Sequence, residues 1–119
     1  MKAVLIDPYS QTVTNVEYSG DYKQIYEFID ASLFDLVRIG DEGEDGDLFV
    51  DDEGLLKAGP ETMYFSIFNS HALAGRGLVL GSNGDGESAD APHDADWYAQ
   101  RVRFMSPLAA RVYMELNFR

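Results

Sequence analysis

The sequence contains no cysteine in 119 residues. That excludes disulfides, thiolate metal sites and cysteine nucleophiles, and it suits a reducing compartment. Basic residues are scarce, nine against 21 acidic ones, and there are two histidines. The net charge of −12 disfavours direct binding to a nucleic-acid backbone. No apolar run approaches the roughly 20 residues of a membrane helix, so no membrane partner is expected. The opening Met1-Lys2-Ala3-Val4-Leu5-Ile6-Asp7 has too short an apolar core for a signal peptide, and a cytoplasmic location is expected.

What is present is globular. Apolar content of 45% and aromatic content of 13% can build one core, and the length sets the expectation of a single domain over residues 1–119. Charge is uneven along the chain. Residues 41–96 hold fourteen acids and two bases, whereas residues 97–119 hold one acid and four arginines. A basic partner protein would be favoured by such a surface, mainly in association rate. Acidic loops also keep a small protein soluble or suit a high-salt cytoplasm.

Periodicity predicts an α+β fold, a mostly antiparallel or mixed sheet packed with one main helix. Lys2 to Asp7 is a strand ended by Pro8. Thr12 to Tyr18 is β-branched and completes a hairpin. Asp21 is a candidate N-cap, and Tyr22, Ile25, Tyr26, Ile29 and Leu33 form an apolar stripe, so a helix is predicted over about 21–32. Leu36 to Ile39 and Leu48 to Val50 read as strands flanking the acidic loop 41–47. Asp51-Asp52-Glu53-Gly54 is a turn, after which Leu55 to Lys57 would resume a paired strand. Met63 to Phe68 and Leu78 to Leu80 are apolar enough to be buried on both faces. Residues 82–96 read as one long loop, mobile or functional. Residues 97–105 fit helix and strand equally. Alternation of Val112, Met114, Leu116 and Phe118 favours a final strand, although Ser106-Pro107 is a fair helix start.

No catalytic constellation meets the requirements of a nucleophile, an oriented base and an oxyanion site, so a non-enzymatic role is expected. Asp41, Asp45, Gly46 and Asp52 fall at EF-hand-like spacing, but Gly43 stands where a ligand is needed and Asp52 where a bidentate Glu is needed. The Gly81–Gly86 run lacks a lysine and carries acids, which repel phosphate. No metal site and no cofactor are expected. Arg101, Arg103, Arg111 and Arg119 are expected to pair with the chain's own acidic loops, in the same molecule or in a homo-oligomer.

The opening K-A-V-L-I-D-P, the middle L-F-V-D-D-E-G-L-L and A-L-A-G-R-G-L-V-L-G before an acidic loop together resemble a family of small uncharacterised proteins, a domain of unknown function, over roughly residues 1–105. The resemblance implies a setting in bacteriophages, plasmids and their hosts. It supplies no catalytic residues.

Two functions fit. In the first, Asp41, Glu42, Glu44, Asp45, Asp47, Asp51, Asp52 and Glu53 present carboxylates as a run of phosphates would be presented, and occupy a basic host protein in the manner of a DNA mimic. In the second, a pocket near loop 81–96 uses His71, Arg76 and His93 to bind a small ligand, a nucleotide or a metal ion, or to support minor enzymatic chemistry.

Overall fold

The computed structural model describes residues 1–118. Strands β1 (Lys2–Asp7) and β2 (Thr12–Glu17) form the expected hairpin, in register from Lys2 opposite Glu17 to Asp7 opposite Thr12. Helix α1 (Lys23–Ile29) follows. Strands β3 (Phe34–Ile39) and β4 (Gly46–Asp51) form a second hairpin around the acidic loop. After β5 (Tyr64–Ile67) and β6 (Leu73–Ala74) comes β7 (Gly77–Ser82), which pairs with the short β8 (Ser88–Ala89). Helix α2 (Ala95–Ala99), strand β9 (Val102–Met105) and helix α3 (Pro107–Asn117) complete the chain.

All strand pairs are antiparallel, and the fold is α+β. The larger sheet runs β2-β1-β7-β4-β3 and the smaller one β6-β5-β9. Alternation along the large sheet sorts its side chains into two layers. Ala3, Leu78 and Leu80 face α1, where Ile25 and Ile29 are buried with Tyr18. Val4, Ile6, Leu48, Val50 and Val79 face the small sheet and α2, where Phe65, Ile67 and Tyr98 complete the main core. The outer face of the small sheet is covered by α3 through Ala110 and Tyr113, against Ala72 and Met105. The central β7 is therefore buried on both faces. Gly77 lets the two sheets approach, since a Cβ there would lie 2.8 Å from both Leu48 Cδ1 and Phe65 Cζ.

Three local expectations are corrected, and one left open is resolved. Helix α1 is shorter than 21–32. Asp21 Oδ1 does accept the Lys23 N–H at 3.0 Å, but Gln24 turns its amide oxygen to the Ser19 N–H, and Asp30 ends the helix in the left-handed region at φ 54°. Leu55 to Lys57 form turns, not a strand, because Lys57 folds back onto Asp51. Leu56 is left 86% exposed there. Residues 107–117 are helix, not strand. Ser106 accepts the Ala109 N–H at 3.2 Å, Pro107 opens the first turn, and Ala110 with Tyr113 supplies a spacing of three that alternation cannot. Residues 97–105 are divided, helix to Ala99 and strand from Val102. No helix among the described residues is long and apolar enough to cross a membrane.

Candidate interaction surface

The β3–β4 loop begins and ends at positive φ, at Gly40 and Gly46, a backbone that favours glycine. Gly46 has φ +125°, and a Cβ on it would lie 2.8 Å from Val79 Cγ1. Within the loop Asp45 turns inward. Its carboxylate meets His93 Nε2 at 2.8 Å, and its backbone carbonyl accepts the Tyr98 hydroxyl at 2.6 Å. The Tyr98 phenol is pushed up to about 12, first by burial and further by the Asp45 charge, so it stays a donor. His93 in turn stacks on Trp97, with ring centroids 3.5 Å apart and planes 13° apart. This chain of contacts clamps the first acidic loop to a second acidic stretch, residues 83–94, which runs from the end of β7 through β8 to α2.

This second stretch is not one uninterrupted loop, because β8 lies within it. The Asn83 side-chain oxygen accepts the N–H groups of Asp85 and Glu87 at 2.9 and 3.0 Å, closing the β7–β8 turn. Asp90 then accepts the Lys2 N–H at 2.8 Å, which ties the loop to the start of β1. Both loops thus sit at one end of the large sheet. Asp41, Glu42 and Glu44 from the first are exposed there, as are Asp85, Glu87, Asp90 and Asp94 from the second. Lys2 reaches Asp94 at 3.6 Å. The backbone N–H groups of Glu44 and Glu42 hold the Glu44 carboxyl below the usual carboxylate range, so it stays charged. Sequence reading did not group the second loop with the first. Residues 45 and 93 become neighbours only in the folded sheet, and no local pattern announces it.

The remaining acids of the 41–53 stretch lie elsewhere. Strand β4 carries the chain away from the loop, and its six residues span roughly 17 Å from Gly46 to Asp51. Asp47 is half-buried opposite Arg38. Asp51 is nearly buried, holds Lys57 Nζ at 2.6 Å and accepts the Glu53 N–H at 2.9 Å. The hydrogen bond from Lys57 Nζ to the Asp51 carboxylate raises the Lys57 pKa. The eight carboxylates therefore divide into an open group at one end of β4 and a group around the Asp51–Lys57 pair at the other. The EF-hand-like spacing closes no ligand shell, because Asp52 is at the far end. Among the described residues no group of three or more His, Asp or Glu side chains could hold a metal ion.

His71, Arg76 and His93 occupy three separate places. Arg76 lines a cleft of ≈ 190 Å³ with Tyr9, Asp30, Asp51 and Lys57. Its Nε is 3.3 Å from Asp7, its Nη1 3.9 Å from Asp30, and its guanidinium lies over Tyr9. Burial pushes the Asp7 carboxyl up, but the Tyr9 N–H, Arg76 and the Ser10 N–H together bring it below its usual range. Both cations of this cleft are already paired, so an anionic ligand would have to displace a carboxylate. His71 lies by a different depression with Val37 and Leu73. His93 is spent on Asp45 and Trp97.

The C-terminal arginines are not spread along acidic loops. Arg101 stacks on Trp97, Arg103 lies over Tyr113, and Arg111 pairs with Glu115 at 3.6 Å within α3. Arg119 lies outside the described residues. No curated protein and no solved structure matches the chain. A family profile does, over residues 1–103: the chain belongs to the DUF3846 family, a domain of unknown function.

Proposed function

We propose that the protein is a non-enzymatic interaction protein whose acidic end docks on a basic surface of a partner protein, occupying it as a nucleic-acid backbone would. A mobile genetic element acting in the cytoplasm of a microbial host is the proposed setting. One observation carries the reading. Two loops far apart in sequence are clamped together by the Asp45–His93 contact, and the exposed carboxylates they bring to one end are left almost without cations. Self-repulsion there is a cost to the fold, and a basic partner removes it. The eight acids of 41–53 contribute through their loop members Asp41, Glu42 and Glu44, with Asp45 as the clamp. The second loop extends the surface.

The test replaces Asp41 and Asp85 with Asn and Glu42, Glu44 and Glu87 with Gln in one variant. Wild-type protein immobilised in host lysate is expected to retain nucleic-acid-binding proteins at low salt and release them at high salt. The variant should retain none of them. Equal retention by both would remove the acidic surface as the docking face.

A further inference from the structure

A second site of opposite charge lies where the turn after β5 meets β9. It is a cleft of ≈ 300 Å³ whose lining includes Phe68, Asn69, Gln100, Arg101 and Arg103. No carboxylate among the described residues lines it. In a chain with 21 acids and nine bases, an arginine without an acidic partner is unexpected. Yet neither Arg101 nor Arg103 forms an ion pair with a described residue. Aromatic rings position them instead. The Arg101 guanidinium carbon is 3.7 Å from the Trp97 ring centroid, and its Nη1 donates to the Trp97 carbonyl at 2.7 Å. Arg103 lies 5.4 Å over Tyr113. A guanidinium carries five N–H donors, so both keep donors free for a ligand.

The turn beside them is strained. The Ser70 N–H bonds to the Ile67 carbonyl at 3.0 Å, and the two central residues, Phe68 and Asn69, have φ of 54° and 58°. Both positive angles make the type I′ arrangement, which favours Asn and Gly at these positions. A bulky residue in the left-handed region is sterically disfavoured, because its Cβ crowds the following carbonyl oxygen. The turn is held in place from outside. Ser70 Oγ accepts the Ile67 N–H at 3.2 Å, and the Tyr113 hydroxyl donates to the Ser70 carbonyl at 2.6 Å. The result keeps the Phe68 ring at the cleft, 37% exposed and 5.7 Å from Trp97.

We infer that this cleft binds a mononucleotide. Arg101 and Arg103 take the phosphate through charge-assisted hydrogen bonds. The Phe68 face takes the base by stacking, and the amides of Asn69 and Gln100 meet its edge. The first acidic loop is nearby, since Phe68 also borders a depression lined by Asp41, but none of its carboxylates lines the cleft itself, and salt screens its exposed charge.

Trp97 is the one tryptophan of the chain and packs against both Phe68 and Arg101, so its emission reports on the cleft. The intact protein would be titrated with the four nucleoside monophosphates, adenosine, inorganic phosphate and a short oligoadenylate, with calorimetry alongside. At least one monophosphate should saturate and bind ~10-fold or more tighter than adenosine or phosphate alone, since only it uses both the arginines and the ring. Arg103→Gln should weaken that binding about 10-fold or more. Phe68→Asn should reduce the monophosphate to the affinity of phosphate while raising the thermal midpoint, because Asn suits the turn. That opposite movement separates a ligand role from a packing role. No saturation by any monophosphate, equal binding of phosphate, or tighter binding of the oligonucleotide would overturn the assignment.

Discussion

The two ends of the large sheet use the same residue type in opposite ways. At the end where β1 turns into β2 and α1 stops, carboxylates are spent on cations. Asp51 holds Lys57, and Asp7 holds Arg76, with Asp30 close by. At the other end the two acidic loops keep most of their carboxylates in solvent, with Asp45–His93 as the inward contact and Lys2–Asp94 as a loose exposed pair. An acid near a cation on a partly buried surface is structure. An acid in a clamped loop with no cation is surface charge, available to a partner. Composition alone counts both kinds as the same −12.

The sharpest break in this contrast is Asp51→Ala. It removes a nearly buried carboxylate that serves both the Lys57 ammonium and the Glu53 N–H. A loss of about 2 kcal/mol in denaturant unfolding is expected. Asp7→Asn should come next, at about 1 kcal/mol near neutral pH, for a part-exposed pair. Because the folded Asp7 pKa is lowered, its contribution is full above the ordinary carboxylate range. It is lost as pH falls through the folded value. Acid unfolding curves of wild type and variant should therefore converge at low pH. Curves that stay parallel would show that the charge of Asp7 is not what matters. The smallest effect belongs to the open end. Each of Asp41→Asn, Glu42→Gln and Asp85→Asn should change stability by no more than ~0.5 kcal/mol. Combined, they should stabilise the protein slightly at low salt, a gain that disappears once salt screens the repulsion they relieve. A substantial loss would mean that these acids are structural after all and would erase the contrast.

Legibility in the sequence followed the range of the interactions involved. Period-two patterns gave away the β1–β2 hairpin and the buried β7, because alternation and apolar runs report directly on which faces are covered. The sequence masks helix α3, because Val112, Met114, Leu116 and Phe118 happen to alternate, while the Ser106 cap that decides the matter is a single local hydrogen bond. The end of α1 at Asp30 and the fold-back of Lys57 onto Asp51 each depend on one side chain, which no period records. Of the candidate residues, the 41–45 acids were visible as a loop. Their neighbours in the second loop, and the separation of Asp51 from them, were not.

By itself the sequence determined the α+β class, the acidic balance and the absence of thiol chemistry, because these follow from composition and local period. Tertiary structure decided which acids are paired and which are open, and it put His71, Arg76 and His93 in three different places. It also gathered Phe68, Arg101 and Arg103 around one cleft. Those arrangements depend on strand order, and strand order joins residues such as 45 and 93 through contacts that carry no trace in the intervening chain.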